Sequence, residues 1–266
     1  MIDYYVVDAF TDHPFGGNPA GICVLDTPLS ETTMQQIARE NALPETAFLW
    51  HTPQKSRLRW FTPAAEIDLC GHATLAAAFV VMTQLEPCRE TITFETISGP
   101  LTIHRQGEQF DMALPLRPPQ PLALSAAITD AIGLPIREAY AARDLFLVLD
   151  DENTVKNYQP NYEKLRRLTD FLGIVLTAPS AQPDIDFVSR YLCPELASED
   201  PVTGSSHCTL APLWQSKLGK DRFTAKQCSP REGILHCQIS HNQVHITGKA
   251  TLYLTGKLMI PATDAP

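Results

Sequence analysis

The feature that most constrains the fold is a short pattern that occurs twice, about half a chain apart. The letters RWFTP at 59–63 are followed by HATLA at 72–76, and RYLCP at 190–194 is followed by HCTLA at 207–211. The two copies are offset by 131 residues at the arginine and by 135 at the histidine, in a chain of 266 residues. Self-similarity at half the chain length predicts two copies of one supersecondary unit.

Apolar patterning predicts a chain dominated by short strands. Alternating or β-branched runs occur at 4–10, 20–25, 91–97, 109–114, 145–149, 234–239 and 244–248. Helices are expected at 30–41, 72–84, 123–132, 161–172 and 206–217. The stretch 73–82 is apolar on nearly every side, which is typical of a helix enclosed by a sheet. We therefore predict a mixed α/β (α+β) fold of two pseudo-symmetric halves, each a strand-rich, barrel-like layer around a central helix.

The domain boundary is expected at a stiff connector, RPPQP at 117–121. This places an N-terminal domain at 1–116 and a C-terminal domain at 117–250. By symmetry, the final segment 251–266 is expected to rejoin the first domain through a strand near 252–259.

Composition narrows the possible partners and the compartment. The chain has 21 basic and 30 acidic residues, a net charge of −9, so neither nucleic acid nor an anionic membrane is an expected partner. The N-terminus lacks the basic segment of a signal peptide, and the longest apolar run is too short to span a bilayer. Seven cysteines without a C-x-x-C favour free thiols in a reducing compartment. We therefore expect a cytoplasmic protein.

Both copies of the repeat lead through a glycine into the start of a helix, as CGHAT at 70–74 and TGSSH at 203–207. Helix starts present unpaired N–H groups and the positive end of a dipole, which can hold a carboxylate or a developing oxyanion. The alternative for each segment is a plain turn, with Ser205 as an N-cap. The occurrence of the pair at equivalent places favours a site for a small acid.

Two carboxylates are candidates for acid–base chemistry. Glu45 follows the helix-breaking Pro44 and opens an apolar, strand-like run, where desolvation of the carboxylate would suit a general base and acid. Asp200 precedes Pro201 just ahead of the second helix start, where it could assist a proton transfer. The alternatives are an exposed loop glutamate and an aspartate that only begins a turn.

Other chemistries have little support in the residues. No G-x-S-x-G is present, and helical geometry would direct His207 away from Ser205, which argues against a serine hydrolase. The C-terminal cysteines and histidines have no known zinc-site spacing. Neither glycine motif for nucleotide phosphates occurs.

Five segments, in order along the chain, together resemble the PhzF-like isomerases of the phenazine-biosynthesis group. They are FGGNPAG at 15–21, PETAF at 44–48, RWFTP at 59–63, DLCGHAT at 68–74 and EDPVTGS at 199–205. The smaller segments TISG at 96–99 and DFVSR at 186–190 agree with them. Each motif is weak alone, whereas the ordered set is specific and spans most of the chain.

The resemblance implies a diaminopimelate epimerase-like fold with a substrate cleft between its halves, a homodimer, and neither cofactor nor metal. The namesake enzyme isomerises trans-2,3-dihydro-3-hydroxyanthranilate, so a small carboxylic acid is the implied substrate class. Carried over by motif, Glu45 is the implied residue that takes and returns the proton, with His72 and Asp200 as its catalytic partners. The implied substrate-binding residues are Asn18, Gly71, His72, Ala73, Gly204 and Ser205.

Epimerases of the wider fold group use two opposed thiols, and this alternative can be checked on the repeat. Cys70 stands where the first thiol is expected. Counted from the shared histidine, Cys70 corresponds to Ser205, and Cys208 corresponds to Ala73, so no matched second thiol exists. An epimerase or racemase that uses Cys70 with a carboxylate stays open, as does a small-acid binding protein without turnover.

Overall fold

The computed structural model describes residues 1–52 and 54–260. The chain divides into two compact units, the first comprising Met1–Ala113 with the chain from Thr247 onward, and the second Leu114–Ile246. The sequence suggested boundaries at 116/117 and 250/251. Of the predicted segment 251–266, residues 261–266 lie outside the described residues.

Strands outnumber helices in both units. The strands are β1 (Ile2–Ala9), β2 (Asn18–Leu25), β3 (Glu45–His51), β4 (Ser56–Phe61), β5 (Glu66–Ile67), β6 (Thr91–Thr96), β7 (Gly99–Gln106), β8 (Gln109–Pro115), β9 (Gln120–Leu122), β10 (Glu138–Ala141), β11 (Leu145–Val148), β12 (Ile174–Pro179), β13 (Phe187–Cys193), β14 (Ser198–Asp200), β15 (Arg222–Gln227), β16 (Gly233–Ser240), β17 (Gln243–Gly248) and β18 (Ala250–Leu258). The helices are α1 (Glu31–Asn41), α2 (Gly71–Val80), α3 (Ala126–Ile132), α4 (Glu152–Asn157), α5 (Tyr162–Leu165) and α6 (His207–Leu218). A π-turn, Val81–Leu85, extends α2, and a 3₁₀ turn, Gly204–Ser206, precedes α6.

The two units share one order of strand pairings. In the first, β1 pairs antiparallel with β2, β2 parallel with β3, β3 antiparallel with β4, β4 parallel with β6, and β6 antiparallel with β7. In the second, β10, β11, β12, β13, β15 and β16 repeat this series with the same strand directions. The final strand, β18, pairs antiparallel with β1 from Leu258 to Ala250. The predicted strand-rich, mixed α/β class is confirmed.

Each unit packs sheet residues around one apolar helix. In the first unit α2 lies against β1, β2 and β3, and all its residues except Phe79 are buried. Such a helix needs no polar face, which explains its uniformly apolar sequence. In the second unit Trp214 of α6 stacks on Phe187 of β13, with ring centroids 5.3 Å apart.

The structure corrects two of the expected helices and adds one. The helix expected at 161–172 is wrong beyond Leu165, because Arg167 and Leu168 donate to carbonyls three residues back and tighten the chain into turns. The helix expected from 123 begins only at Ala126, where the Ser125 side chain caps the N–H of Ile128. The unexpected α4 buries a single side chain, Val155, so it has no apolar periodicity to detect.

The cysteines and the helix lengths bear on two further expectations. All seven cysteines are free thiols, and five of them are buried: Cys23, Cys70, Cys208, Cys228 and Cys237.

Within residues 1–52 and 54–260, no helix has both the length and the apolar character needed to cross a lipid bilayer.

Candidate active site

Two strand starts and one helix start meet in the first unit. Asn18 is the first residue of β2, and Glu45 is the first residue of β3. Because β2 and β3 are parallel, with Ala20 paired to Glu45, both strands begin at the same edge of the sheet. His72 is the second residue of α2, which packs on these strands. Pro44 marks the point where the chain leaves the α1–β3 loop and enters the strand.

The loop before β2 fixes Asn18 in place. Gly17 has a φ of +59°, and a Cβ there would lie 2.1 Å from the carbonyl oxygen of Ala9, so only glycine fits. The backbone N–H of Phe15 donates to the buried carboxylate of Asp8 at 3.0 Å. These two constraints hold the FGGN turn against the end of β1 and leave Asn18 fully buried.

Asn18, Glu45, Cys70 and His72 form one contact network around the imidazole. His72 Nε2 lies 2.9 Å from Glu45 Oε2, and His72 Nδ1 lies 3.1 Å from Asn18 Nδ2. Cys70 Sγ lies 3.5 Å from His72 Nδ1. The His72 side chain is only 6% exposed, whereas the Glu45 side chain is 16% exposed. Glu45 is therefore the acid–base group of this network that a ligand can reach most easily.

The electrostatics of the network favour an imidazolium next to a carboxylate. Burial alone lowers the pKa of His72, but the neighbouring Cys70 and Glu45 groups raise it by more, so it lies well above its usual value. Burial, and then the charge of Glu45, raise the pKa of Cys70 against the opposing effect of His72. Burial thus opposes ionisation of the Cys70 thiol on the Nδ1 side of the ring, while the Glu45 carboxylate lies against Nε2.

Glu45, Cys70 and His72 also form a set that could hold a metal ion. One ligand atom from each lies within 4.8 Å of the others. A carboxylate, a thiolate and an imidazole are ligands that Zn²⁺ accepts, and three protein ligands would leave one position open. The absence of a metal requirement stays a prediction, and this cluster is the place to test it.

The predicted binding residues Gly71 and Ala73 lie in the first turn of α2, and both are buried. Cys70 occupies the N-cap position, and its thiol lies against the backbone N–H of Ala73. Among the described residues no side-chain oxygen caps this end of the helix, so the positive end of the α2 dipole can interact with a negative group.

The remaining predicted residues lie in the second unit, from the end of β14 at Asp200 to the turn before α6. Thr203 connects them: its hydroxyl donates to the Asp200 carboxylate, and its N–H donates to Gln227 Oε1 at 2.8 Å. Gln227 Nε2 in turn donates to the Asp200 carbonyl oxygen at 2.7 Å, and Gln227 is fully buried. Gly204 and Ser205 follow in the 3₁₀ turn. The loop is thus a fixed support for these side chains.

The histidine of the second repeat has a different environment from His72. His207 Nδ1 donates to the Thr203 carbonyl oxygen at 2.9 Å, and Nε2 has no hydrogen-bond partner among the described residues. Burial lowers the pKa of His207 to about 4, against the opposing hydrogen bond to Thr203. His207 is therefore neutral and structural, while its counterpart His72 faces a carboxylate.

The strand register identifies the counterpart of Glu45. In the first unit Thr46 pairs with Phe61, two residues after Arg59, and in the second Ile174 pairs with Leu192, two residues after Arg190. The residues just before Thr46 and Ile174 are therefore equivalent, and they are Glu45 and Gly173. A Cβ at Gly173 would lie 2.3 Å from the Tyr191 hydroxyl, so a phenol fills the space of the missing carboxylate. The repeat thus supplies one acid–base carboxylate at this position, not two.

The sequence analysis missed Arg143, Asp144 and Tyr191. Arg143 Nη2 lies 3.2 Å from both Asp144 Oδ2 and Ser205 Oγ, and the Tyr191 hydroxyl donates to Asp144 Oδ1 at 2.8 Å. The only local signal was an Arg-Asp pair directly before the fully buried strand β11. Since Asp144 and Tyr191 are 47 positions apart, no spacing rule connects them.

The fold and the site together define a class, that of strand-rich mixed α/β proteins built from two related units. A solved hydroxyproline epimerase from Agrobacterium vitis shares this fold, with a TM-score of 0.66 at 9% identity, covering 97% of this chain and 90% of the epimerase. Residues 7–256 match the PhzC-PhzF family, described as phenazine biosynthesis-like protein, and the chain belongs to that family.

Close relatives span nearly the whole chain. An uncharacterized isomerase from Pseudomonas aeruginosa is 43% identical over 255 residues, covering 96% of this chain and 97% of the relative. The solved structure of a phenazine biosynthesis PhzC/PhzF protein from Clostridium difficile superposes with a TM-score of 0.94 at 49% identity, covering 98% of this chain and 100% of that one. The predicted family resemblance is therefore confirmed.

Proposed function

We propose that the protein is an isomerase that moves a proton within a small carboxylic acid, with Glu45 as the base that takes the proton and the acid that returns it. The observation that carries the proposal is the contact of 2.9 Å between Glu45 Oε2 and the buried His72 Nε2. The Pseudomonas aeruginosa relative, which is named an isomerase, supports the same reaction class.

His72 positions Glu45 for this role. The Asn18 amide nitrogen contacts Nδ1, which assigns the proton of a neutral imidazole to Nε2, and rotation of the amide by 180° would let an imidazolium donate to its oxygen instead. Nε2 lies 2.9 Å from Glu45 Oε2, so the ring edge holds that oxygen in place by close contact. The other carboxylate oxygen is left to accept a proton from carbon.

The proton balance of the proposed step is simple. The Glu45 carboxylate removes a proton from a carbon conjugated with an electron-withdrawing group, and the electron pair of that C–H bond enters the conjugated system. The carboxylic acid, whose side chain is 16% exposed and can exchange its proton with water, then delivers a proton to another carbon of that system, so a double bond shifts and the Glu45 carboxylate is regenerated. Acid–base catalysis of this kind is worth roughly 10²–10⁴-fold.

One base at the repeat-equivalent positions favours isomerisation over racemisation. A racemase that works with two opposed bases needs a second acid–base group, whereas the second unit has Gly173 at the position of Glu45 and Ser205 at that of Cys70. A single carboxylate that takes and returns the proton on one face of the substrate does not need a partner base. This reasoning supports a shift of a proton between two carbons.

The developing negative charge needs stabilisation, which the start of α2 can provide. Gly71 offers a first-turn amide at this helix end, and the amide of Ala73, which lies against the Cys70 thiol, is proposed to turn to the ligand. One donor of this kind contributes roughly 2.7–4 kcal/mol to transition-state stabilisation. Asp200, Gly204 and Ser205 are proposed as further polar contacts to the substrate.

Two other functions use the same residues. Cys70 could be the base of an epimerase, since its Sγ lies 3.5 Å from His72 Nδ1, but burial raises the pKa of this thiol, which lowers the fraction of thiolate available at neutral pH. A small-acid binding protein would keep the network and show no proton exchange. A homodimer, a cytoplasmic location and independence of cofactors complete the proposal.

The test is solvent proton exchange in D₂O. The protein is incubated with trans-2,3-dihydro-3-hydroxyanthranilate and a panel of small conjugated and amino acids, and deuterium uptake and isomer formation are followed by NMR. Uptake by the wild type is expected to fall at least about 10²-fold in Glu45→Gln. Glu108→Gln is the matched control, because it removes a carboxylate that is 84% exposed.

The outcomes separate the three functions. Uptake that persists in Glu45→Gln and disappears in Cys70→Ala would assign the chemistry to the thiol. Binding of acids with neither deuterium uptake nor isomer formation by the wild type would identify a binding protein and refute the isomerase.

A further inference from the structure

We infer that Arg143, together with Ser205, binds the carboxylate group of a small acid in the second unit. The inference rests on the proposed function, since a small carboxylic acid is taken as the ligand. It adds a charged recognition residue that the motifs did not contain.

Arg143 is held in place by its backbone and remains accessible. It lies in the loop between β10 and β11, where its carbonyl oxygen accepts from the N–H of Leu172 at 3.3 Å. The adjacent Ala142 N–H donates to the Asp144 carbonyl oxygen at 3.0 Å. The Arg143 side chain is nevertheless 40% exposed, so the guanidinium can meet a ligand.

Asp144 and Tyr191 support the guanidinium from the buried side. Asp144 is 3% exposed, and its two oxygens are taken by Arg143 Nη2 and by the Tyr191 hydroxyl. Burial, followed by the charge of Asp144, raises the pKa of Tyr191, so the phenol keeps its proton and remains a donor. A buried carboxylate that is already fully engaged orients Arg143 and leaves its remaining donors for another acceptor.

The free donors of Arg143 and Ser205 suit a carboxylate. The hydrogen bonds of Arg143 to Asp144 and Ser205 both come from Nη2, and the Tyr191 hydroxyl also lies against the guanidinium. A guanidinium carries five N–H groups, so donors remain for a ligand. Ser205 Oγ accepts one of the Nη2 hydrogen bonds, and its own hydroxyl proton can therefore be donated elsewhere. A guanidinium beside a hydroxyl donor is a common recognition unit for planar, bidentate oxyanions.

A purely structural role for Arg143 is the competing explanation. In that case Arg143 only ties the 3₁₀ turn at Ser205 to the β10–β11 loop, and its loss would affect folding without any preference for charged ligands. The two explanations differ in whether a carboxylate is preferred over its uncharged amide.

The experiment measures binding of matched acid and amide pairs, benzoate against benzamide and anthranilate against 2-aminobenzamide, by isothermal titration. The wild type should bind the acid of a pair more tightly. Arg143→Gln should lose roughly 10- to 150-fold in affinity for the acid, the range expected for a charge-assisted bond, with amide binding unchanged. Arg143→Lys should lose less, since it keeps the charge without the planar fork.

Two further variants control for folding and net charge. Ser205→Ala leaves the Arg143–Asp144 pair intact and should still weaken acid binding, so the inference can be tested if Arg143→Gln unfolds. Arg137→Gln removes an equal charge from a side chain that is 65% exposed, and it should bind like the wild type. Thermal melting of each variant reports its folding.

The inference fails if the wild type binds neither acid, if it binds acid and amide equally, or if folded Arg143→Gln keeps the preference. Failure of the proposed function is distinguishable, because it is read from deuterium exchange in Glu45→Gln. That variant should still prefer acids over amides, while Arg143→Gln should lose the preference.

Discussion

Acidification should destabilise the protein through His207, well before the carboxylates are protonated. The imidazole is fully buried, its Nε2 has no hydrogen-bond partner among the described residues, and its ring lies over Phe187 with centroids 6.0 Å apart. Protonation would place an unpaired charge in this apolar site, which explains why burial lowers the pKa of His207 to about 4.

The magnitude follows from the difference between the folded and unfolded pKa. The unfolded chain protonates near 6.5 and the folded state only near 4, so stability is fully present above about pH 6.5 and is lost as the pH falls through that window. Linkage then gives a loss of about 2 kcal/mol between pH 7 and pH 5, and about 3 kcal/mol once the pH is below 4.

The assay is urea unfolding at several pH values between 5 and 7, in the wild type and in His207→Asn. The asparagine keeps a donor for the Thr203 carbonyl but cannot titrate. It should be less stable than the wild type at pH 7, because it leaves a cavity, and the gap should narrow by about 2 kcal/mol at pH 5. If the free energy of unfolding changed with pH equally in the wild type and in His207→Asn, the reasoning would be refuted. Contributions from His72 and the carboxylates are the same in both proteins and cancel in the difference.

Three shorter predictions concern the network and the repeat. The pKa of His72 is raised, so its contribution to stability is present below about pH 6.5 and is lost as the pH rises through the raised value. The rate of deuterium exchange should fall over the same alkaline range. His72→Gln should lower that rate and abolish its pH dependence. Cys70→Ala should retain deuterium exchange. EDTA should leave the wild type active, and added Zn²⁺ should inhibit the wild type by occupying the Glu45 carboxylate. Inactivation by EDTA would instead reveal a metal requirement. Gly173→Ala should cost about 1–3 kcal/mol in urea unfolding, because its Cβ would meet the Tyr191 hydroxyl at 2.3 Å; an unchanged midpoint would refute this.

Local patterns in the sequence were sufficient for some of the strands, the two buried helices and the family. Alternation of apolar residues is a property of neighbouring positions, so β1, β2 and β16 could be placed to within two residues or so. The turns that lead through Gly71 and Gly204 into a helix could likewise be predicted, because a helix start depends on a few adjacent residues. The expected helix at 161–172 was wrong beyond Leu165, where the N–H groups of Arg167 and Leu168 donate to carbonyls three residues back and the chain continues as turns.

Tertiary structure alone decided what each repeat does chemically. His72 and His207 occupy the same position in the same motif, yet the pKa of the first is raised and that of the second lowered. Burial lowers the pKa of both histidines, but Cys70 and Glu45 raise that of His72 by more. The second unit has Ser205 and Gly173 at the positions of Cys70 and Glu45. A pKa depends on burial and on charges within a few ångströms, and these distances join residues that the sequence keeps far apart.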